Sequence, residues 1–249
     1  FNRELVTPAG RVGPNTQTAY VLALHFDLLP EPMRPLAAAR LAQAIREGGY
    51  HVTTGFVGTP YLCHVLSRYG YTDVAYELLN QESYPSWLYP VKRGATTIWE
   101  RWDGIKPDGS FQDASMNSFN HYAYGAIGEW LYRVVAGIEL DPSAPGYRRV
   151  LIQPQPGGRL TYARATLDSP YGRIESHWSR EGDALHLAVT IPANTEGVVR
   201  LPARSAEQIA EQGLPLERVE GVRAVRQEGE TTAITLGSGS YHFTVRERG

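Results

Sequence analysis

The sequence predicts a multi-domain α and β protein, a partial (α/α)6 barrel followed by an antiparallel β-sandwich. Three observations carry this. Before residue 140, apolar residues recur at helical spacing in five segments. At 141–146 the run DPSAPG interrupts the pattern. Beyond it the apolar period shifts towards two, in short runs separated by turn residues. The expected domains are therefore 1–140 and 147–249.

The first helix is expected over 15–29 (NTQTAYVLALHFDLL), capped by Asn15 or Thr16 and ended by Pro30. The second covers 32–47, Ala-rich, with Gly48-Gly49 as its stop. A third covers 58–69 before Gly70, and a fourth 72–81 with Thr72 or Asp73 as cap. The fifth, 117–137, is the longest and most apolar. The first, third and fifth are apolar nearly all round, whereas the second and fourth each keep a polar face. A helix without a polar face belongs inside something, so the alternation predicts inner and outer layers of helical hairpins. The connections at 49–58 and 83–116 are long, and long loops at one end of a helical barrel are where function sits.

In the second domain, strands are expected at 147–153, 160–168, 172–179, 184–191, 197–201, 233–236 and 241–245. PGG at 156–158, SPYG at 169–172, EGD at 181–183 and GSG at 237–239 mark turns between them. Residues 205–213 read as a short helix or an irregular loop. Short antiparallel strands over about 100 residues form a sandwich.

Composition narrows the function. Lys and Arg number 24 against 26 Asp and Glu, a net charge of −2 with no long basic cluster, so neither nucleic acid nor a membrane surface is an expected partner. The single cysteine, Cys63, excludes an internal disulfide and reads as buried. No His pair stands with a carboxylate at ligand spacing, so neither a metal nor another cofactor is expected.

The candidate site lies in 84–132, which holds four of the chain's five Trp. Glu100 sits between Trp99 and the pair Arg101-Trp102. Indole faces stack on sugar C–H faces, and a carboxylate can move a proton. From the residues alone, Glu100 reads equally as a general base or as half of a loop salt bridge, with Arg101 and Arg93 supplying the compensating field in either case. His121, near the start of the fifth helix, reads as a core histidine or a sugar ligand. Trp87, Trp99 and Trp102 are candidate stacking platforms, at least one of them facing the pocket and Trp102 first because it shares a short segment with Glu100. Trp130 reads as core and Glu129 as a packing residue, while Asp103, Asp108 and Asp113 read as turn stabilisers beside glycine. Residues 54–60 form a rim loop. His25, His51 and His64 are expected to be structural, and His177 and Trp178 to belong to core or interface.

Three stretches then resemble a known family: YPSWLYPVKRGATTIWERWDG, MNSFNHYAYGAIGEWLYR and PGYRRVLIQPQPGGRLTYARATLDSPYGRIESHW, with TGFVGTPYLCHVL at 54–66. In this order they resemble the C-terminal half of bacterial alpha-L-rhamnosidases of glycoside hydrolase family 78, over about 13–245. The resemblance implies a six-hairpin barrel, of which 1–140 is the C-terminal half, and hydrolysis of terminal alpha-L-rhamnosides with inversion. It implies that Glu100, in T-x-W-E-R-W, is the general base, and that His121, in N-H-Y-A-Y-G, binds the sugar. The family's general acid lies in an Asp/Arg/Glu-rich motif of the barrel's first half, which this chain does not contain. Five helices cannot close a ring that needs twelve, so the expected partners are rhamnose-containing glycosides and either the N-terminal part of the same enzyme or a second chain. Two rival readings remain, a non-catalytic carbohydrate-binding or interaction module and another α/α-barrel glycosidase.

Overall fold

The computed structural model describes residues 1–246 and divides the chain into two compact units, Phe1–Trp130 and Leu131–Gly249. In the first unit, α1 (Asn2–Leu5) precedes α2 (Gln17–His25), α3 (Arg34–Glu47), α4 (Thr59–Arg68), α5 (Thr72–Asn80), α6 (Leu88–Lys92) and α7 (Ile127–Trp130). Thr16 caps α2, its hydroxyl accepting from the Ala19 amide at 3.2 Å. No side chain caps α5. Its N-cap is Tyr71, and the expected cap residue Asp73 instead pairs with Arg46 at 3.0 Å.

The alternation of helix character has a packing cause. α2 lies against both α3 and α4, and α4 lies against α5 and α7. Accordingly no residue of α2 is exposed, and in α4 only Arg68 is. α3 buries Ala37, Ala38, Leu41, Ala42 and Ile45 while Leu36, Gln43, Arg46 and Glu47 face out. Each fully buried Leu or Ile there contributes about 1.5–3 kcal/mol. Cys63 is buried in α4, and burial alone pushes its thiol far above the ordinary range. The unit nonetheless leaves several large apolar side chains exposed, among them Phe26, Val57, Val91, Phe111 and Tyr122.

The expected fifth helix is not one helix. Residues 117–122 are irregular, Ala123–Ala126 is a 3-10 turn, Ile127–Trp130 is α-helical, and Leu131–Val135 winds as π-helix. The polar start of the segment pairs with another stretch of backbone instead. The Glu100 amide donates to Ser118 O at 2.9 Å, the His121 amide donates to Ile98 O at 2.8 Å, and the Thr97 hydroxyl donates to Phe119 O. Those bonds occupy groups a helix would need. Asn117, Ser118 and Asn120 are residue types that favour such alternatives.

The second unit is a sandwich of two sheets. Its strands are β1 (Ile138–Leu140), β2 (Arg149–Ile152), β3 (Tyr162–Ser169), β4 (Gly172–Glu181), β5 (Ala184–Ile191), β6 (Glu196–Leu201), β7 (Ile209–Glu211), β8 (Leu214–Pro215), β9 (Val222–Glu228), β10 (Thr231–Leu236) and β11 (Gly239–Arg246). One sheet runs β1-β2-β6-β10-β9, the other β3-β4-β5-β11-β7-β8. Pairing is antiparallel except between β2 and β6, where Arg149 lies opposite Glu196 and binds it at 2.6 Å. Strict alternation places Leu185, Leu187, Val189 and Ile191 of β5 in the core, with Val199, Ile234, Phe243 and Trp178 from other strands. Trp178 donates to Val135 O at 2.7 Å. Residues 138–140, grouped with the helices on composition, form an edge strand on β2, and the DPSAPG run is the loop between those two strands. Residues 205–213 hold a 3-10 turn and then β7.

Candidate active site

Phe56, Tyr84, Glu100, Arg101, Trp102, Asp103, Gln112 and Tyr124 line an open cavity of about 400 Å3 in the first unit. Five segments build it, two of them contributing Tyr84 and Gln112. Residues 97–104 supply the carboxylates and one indole, 54–58 supply Phe56, and the 3-10 turn supplies Tyr124.

Glu100 is half-buried, and the Ser118 amide donates to its Oε2 at 3.1 Å. Neither expected arginine pairs with it. Arg101 donates to Gln112 Oε1 at 2.7 Å and lies 3.9 Å from Asp113. Arg93 donates to Pro107 O and sits over the Tyr89 ring at 5.0 Å. The salt-bridge reading of Glu100 therefore has no partner among the described residues. What remains is a carboxylate held by one peptide N–H, with acceptor capacity to spare on a concave surface.

Trp102 lines the cavity; Trp87 and Trp99 are not among the lining residues. The Trp102 ring lies flat on Tyr124, centroids 3.7 Å apart and planes 12° apart. Trp87 is buried with its edge towards Trp102 at 5.5 Å, and its Nε1–H donates to Tyr124 O at 2.9 Å. It thus props both members of the stack. Trp99 is buried against Phe119 and beside Gly104. A Cβ at Gly104 would stand 3.0 Å from Phe119 and 3.2 Å from Trp99, so this turn admits little beyond glycine.

His121 precedes the helical turn rather than starting a helix. Its ring stacks on Phe56 at 4.7 Å, and Phe56 faces the cavity. The Ala123 amide donates to Nδ1 at 3.3 Å, which in the neutral ring leaves the proton on Nε2 as a donor for an oxygen.

Among the other candidates, Asp108 and Asp113 do stabilise turns, each accepting from a serine hydroxyl and amide two residues on. His51 faces Pro85 O at 3.3 Å and His25 stacks on Tyr61. His64 lies 3.9 Å from Glu129. Trp130 is core, donating to Ser67 at 2.9 Å. In the rim loop Thr54 and Thr59 are buried and bonded to each other at 2.8 Å.

Sequence reasoning placed Phe56 in the rim loop without giving its ring a role, and missed Tyr84, Gln112, Tyr124 and the placement of Asp103. Burial, then the neighbouring Tyr84 and Glu100, raises the Tyr124 phenol above its ordinary range. Burial, then Asp103 and Tyr89, does the same for Tyr84. Both phenols stay protonated donors beside carboxylates.

The described residues thus form a class of two-part chain, a helical unit with a carboxylate and stacked aromatic rings in a cavity, followed by a β-sandwich. The comparisons narrow it. Residues 1–135 match the bacterial alpha-L-rhamnosidase 6 hairpin glycosidase domain, and residues 137–214 match the bacterial alpha-L-rhamnosidase C-terminal domain. An alpha-L-rhamnosidase of Streptomyces avermitilis is 45% identical over 245 residues, covering 98% of this chain and 23% of that protein. One from Formosa agariphila is 41% identical over 93% of this chain and 25% of its own length. The crystal structure of the Streptomyces avermitilis enzyme complexed with L-rhamnose superposes with a TM-score of 0.89 at 44% identity, covering 98% of this chain and 23% of that one. The native Aspergillus terreus enzyme gives 0.83 at 38% identity, covering 98% and 26%. The chain belongs to the bacterial alpha-L-rhamnosidase family and spans about a quarter of the length of the relatives it matches.

Proposed function

We propose that this chain supplies the general-base side of an alpha-L-rhamnosidase active site, in an enzyme that releases terminal alpha-L-rhamnose with inversion. The observation that supports this most is Glu100 itself, a carboxylate with no arginine paired to it among the described residues, held by a peptide N–H, in a cavity walled by Trp102 and Tyr124. In an inverting glycosidase one carboxylate takes a proton from the attacking water, while a carboxylic acid about 6.5–9.5 Å away protonates the departing oxygen. Glu100 is the first of these. The second comes from outside this chain. Trp102 packs against the pyranose or its C6 methyl, an apolar end well suited to an indole face. Trp87 and Trp99 hold that platform, and His121 donates to a sugar hydroxyl from Nε2. The exposed apolar side chains of the helical unit support a partner surface, the remaining hairpins of the ring, carried by the same polypeptide or by another.

The test is hydrolysis of p-nitrophenyl alpha-L-rhamnoside by this chain alone and by the full-length gene product, with product stereochemistry followed by proton NMR. Turnover confined to the full-length product, with the β-anomer of rhamnose released first, is the expected result. Rhamnose binding without turnover in either preparation would favour a carbohydrate-binding module. Cleavage of a different glycoside would favour another α/α-barrel hydrolase.

A further inference from the structure

Four carboxylates lie within 100–113, and the fold uses three of them. Asp108 and Asp113 each accept a serine hydroxyl and amide on Oδ1, and Glu100 takes the Ser118 amide. Asp103 is half-buried, lines the same cavity, and has no hydrogen bond or ion pair with any described residue. Arg101, two residues earlier, bonds Gln112 and lies 3.9 Å from Asp113. The position is not loose. Asp103 belongs to the tight turn in which the Gly104 amide donates to Arg101 O at 3.2 Å. Asn117 clamps that turn by donating to Gly104 O at 2.8 Å, and Trp99 and Phe119 pack against it. A carboxylate fixed on a concave wall with its acceptor sites unfilled is satisfied by water when the cavity is empty and by a ligand's donors when it is occupied.

We propose that Asp103 is a second ligand-reading carboxylate of this cavity, accepting hydrogen bonds from ring hydroxyls of the bound sugar, and so a specificity-determining residue. The inference rests on the rhamnosidase reading above. It fits the surroundings. The cavity offers flat aromatic faces for C–H surfaces, the phenols of Tyr84 and Tyr124 as donors, and two carboxylates as acceptors. Among the described residues neither carboxylate has an ion-pair partner, and the one guanidinium of the lining, Arg101, bonds Gln112, so the hydroxyl donors of a neutral sugar find open acceptors on this wall. Asp103 also bears on the Tyr84 phenol through space, which places its charge close to this wall of the cavity.

The experiment uses the full-length gene product carrying Asp103→Asn and, separately, Asp103→Ala. Kinetics are measured on p-nitrophenyl alpha-L-rhamnoside and on its 2-, 3- and 4-deoxy analogues, with thermal midpoints recorded for every variant. Loss of a charge-assisted hydrogen bond predicts a KM higher by roughly 10- to 100-fold, with kcat changed much less. It further predicts that removing one particular hydroxyl, which weakens the wild type, has almost no added effect in either variant. A structural role for Asp103 would leave that hydroxyl dependence unchanged. The same dependence in wild type and both variants at every hydroxyl, with unaltered thermal midpoints, overturns the inference, as does an unchanged kcat/KM. If one variant is destabilised, the other supplies the comparison, since Asn keeps the side chain's shape and Ala removes it. A wild type that does not cleave the rhamnoside at all would instead refute the rhamnosidase reading, and this inference with it.

Discussion

Residues 97–104 and 106–116 are neighbouring polar loops with carboxylates, and the fold treats those carboxylates in opposite ways. In the second loop each Asp turns back onto its own chain, its Oδ1 accepting from a serine hydroxyl and from backbone amides. In the first, Glu100 and Asp103 point into a cavity with little or nothing bonded to them. Residue type does not separate the two loops. What does is the burial of Trp99 and Gly104, which anchors 97–104 against Phe119 and Asn117 and leaves its acidic side chains facing open space. The lesson is that a group left unsatisfied by a rigid frame is a better pointer to function than a group that is merely charged.

The comparison is most sharply tested at Glu100. In the full-length enzyme Glu100→Gln is expected to lower kcat by several orders of magnitude at unchanged circular dichroism and thermal midpoint, since the shape is kept and the base is lost. Near-normal turnover in that variant would put the two loops on the same footing. A smaller effect is expected one layer behind the cavity. Trp87→Ala removes a buried indole and should destabilise the protein by about 3–5 kcal/mol in urea unfolding. Trp87→Phe should retain most of the packing but leave the Tyr124 carbonyl without its donor, raising KM for the rhamnoside more than it lowers the urea midpoint. If both variants keep wild-type kinetics, the Trp102–Tyr124 stack does not depend on its prop.

The smallest effect belongs to the second loop. The Ser110 hydroxyl, then its amide, holds the Asp108 carboxyl below the usual range, and the Ser115 hydroxyl, then its amide, does the same for Asp113. A carboxyl depressed in the folded state stabilises that state above its unfolded pKa, near 4, and this contribution is lost as pH falls through the folded value. The Asp108→Asn, Asp113→Asn double variant should therefore show a shallower decline of thermal midpoint than wild type below about pH 4. Its kcat/KM at pH 7 should be unchanged. A loss of activity there would mean that these two turns also hold Gln112 for the substrate.

Much of the fold was legible because burial leaves a periodic trace. Gln17–His25 and Thr59–Arg68 are covered on nearly every side, Arg68 being the only exposed residue of either, and their largely apolar character showed it. Ala184–Ile191 alternates strictly and was read to the residue. The strands that escaped are short or polar. Val222–Glu228 lies on a sheet edge with most of its residues exposed, and Ile209–Glu211 has only three. In the cavity, Glu100 was singled out by its tryptophan and arginine neighbours and by the motif that carries it. Which indole faced the cavity was not legible, because Trp87, Trp99 and Trp102 differ only in tertiary packing. Asp103 was hidden by its own neighbour, since Asp followed by Gly reads as a turn signal whether or not the carboxylate serves the turn. The misplacement of His121 has a different origin. Apolar spacing over 117–137 favoured a helix, and the non-local backbone pairing of 118–121 with 98–100 overrode it.

The group that orients Glu100 is main chain, not side chain. Every amino acid but one carries that N–H, so ordinary drift at position 118 cannot strip the carboxylate of its holder. Ser118→Ala should be silent in turnover, while Ser118→Pro should cripple it, a pair of outcomes readable from two initial-rate assays. An enzyme built this way keeps its aim through wide variation in sequence and is vulnerable there to a single kind of replacement.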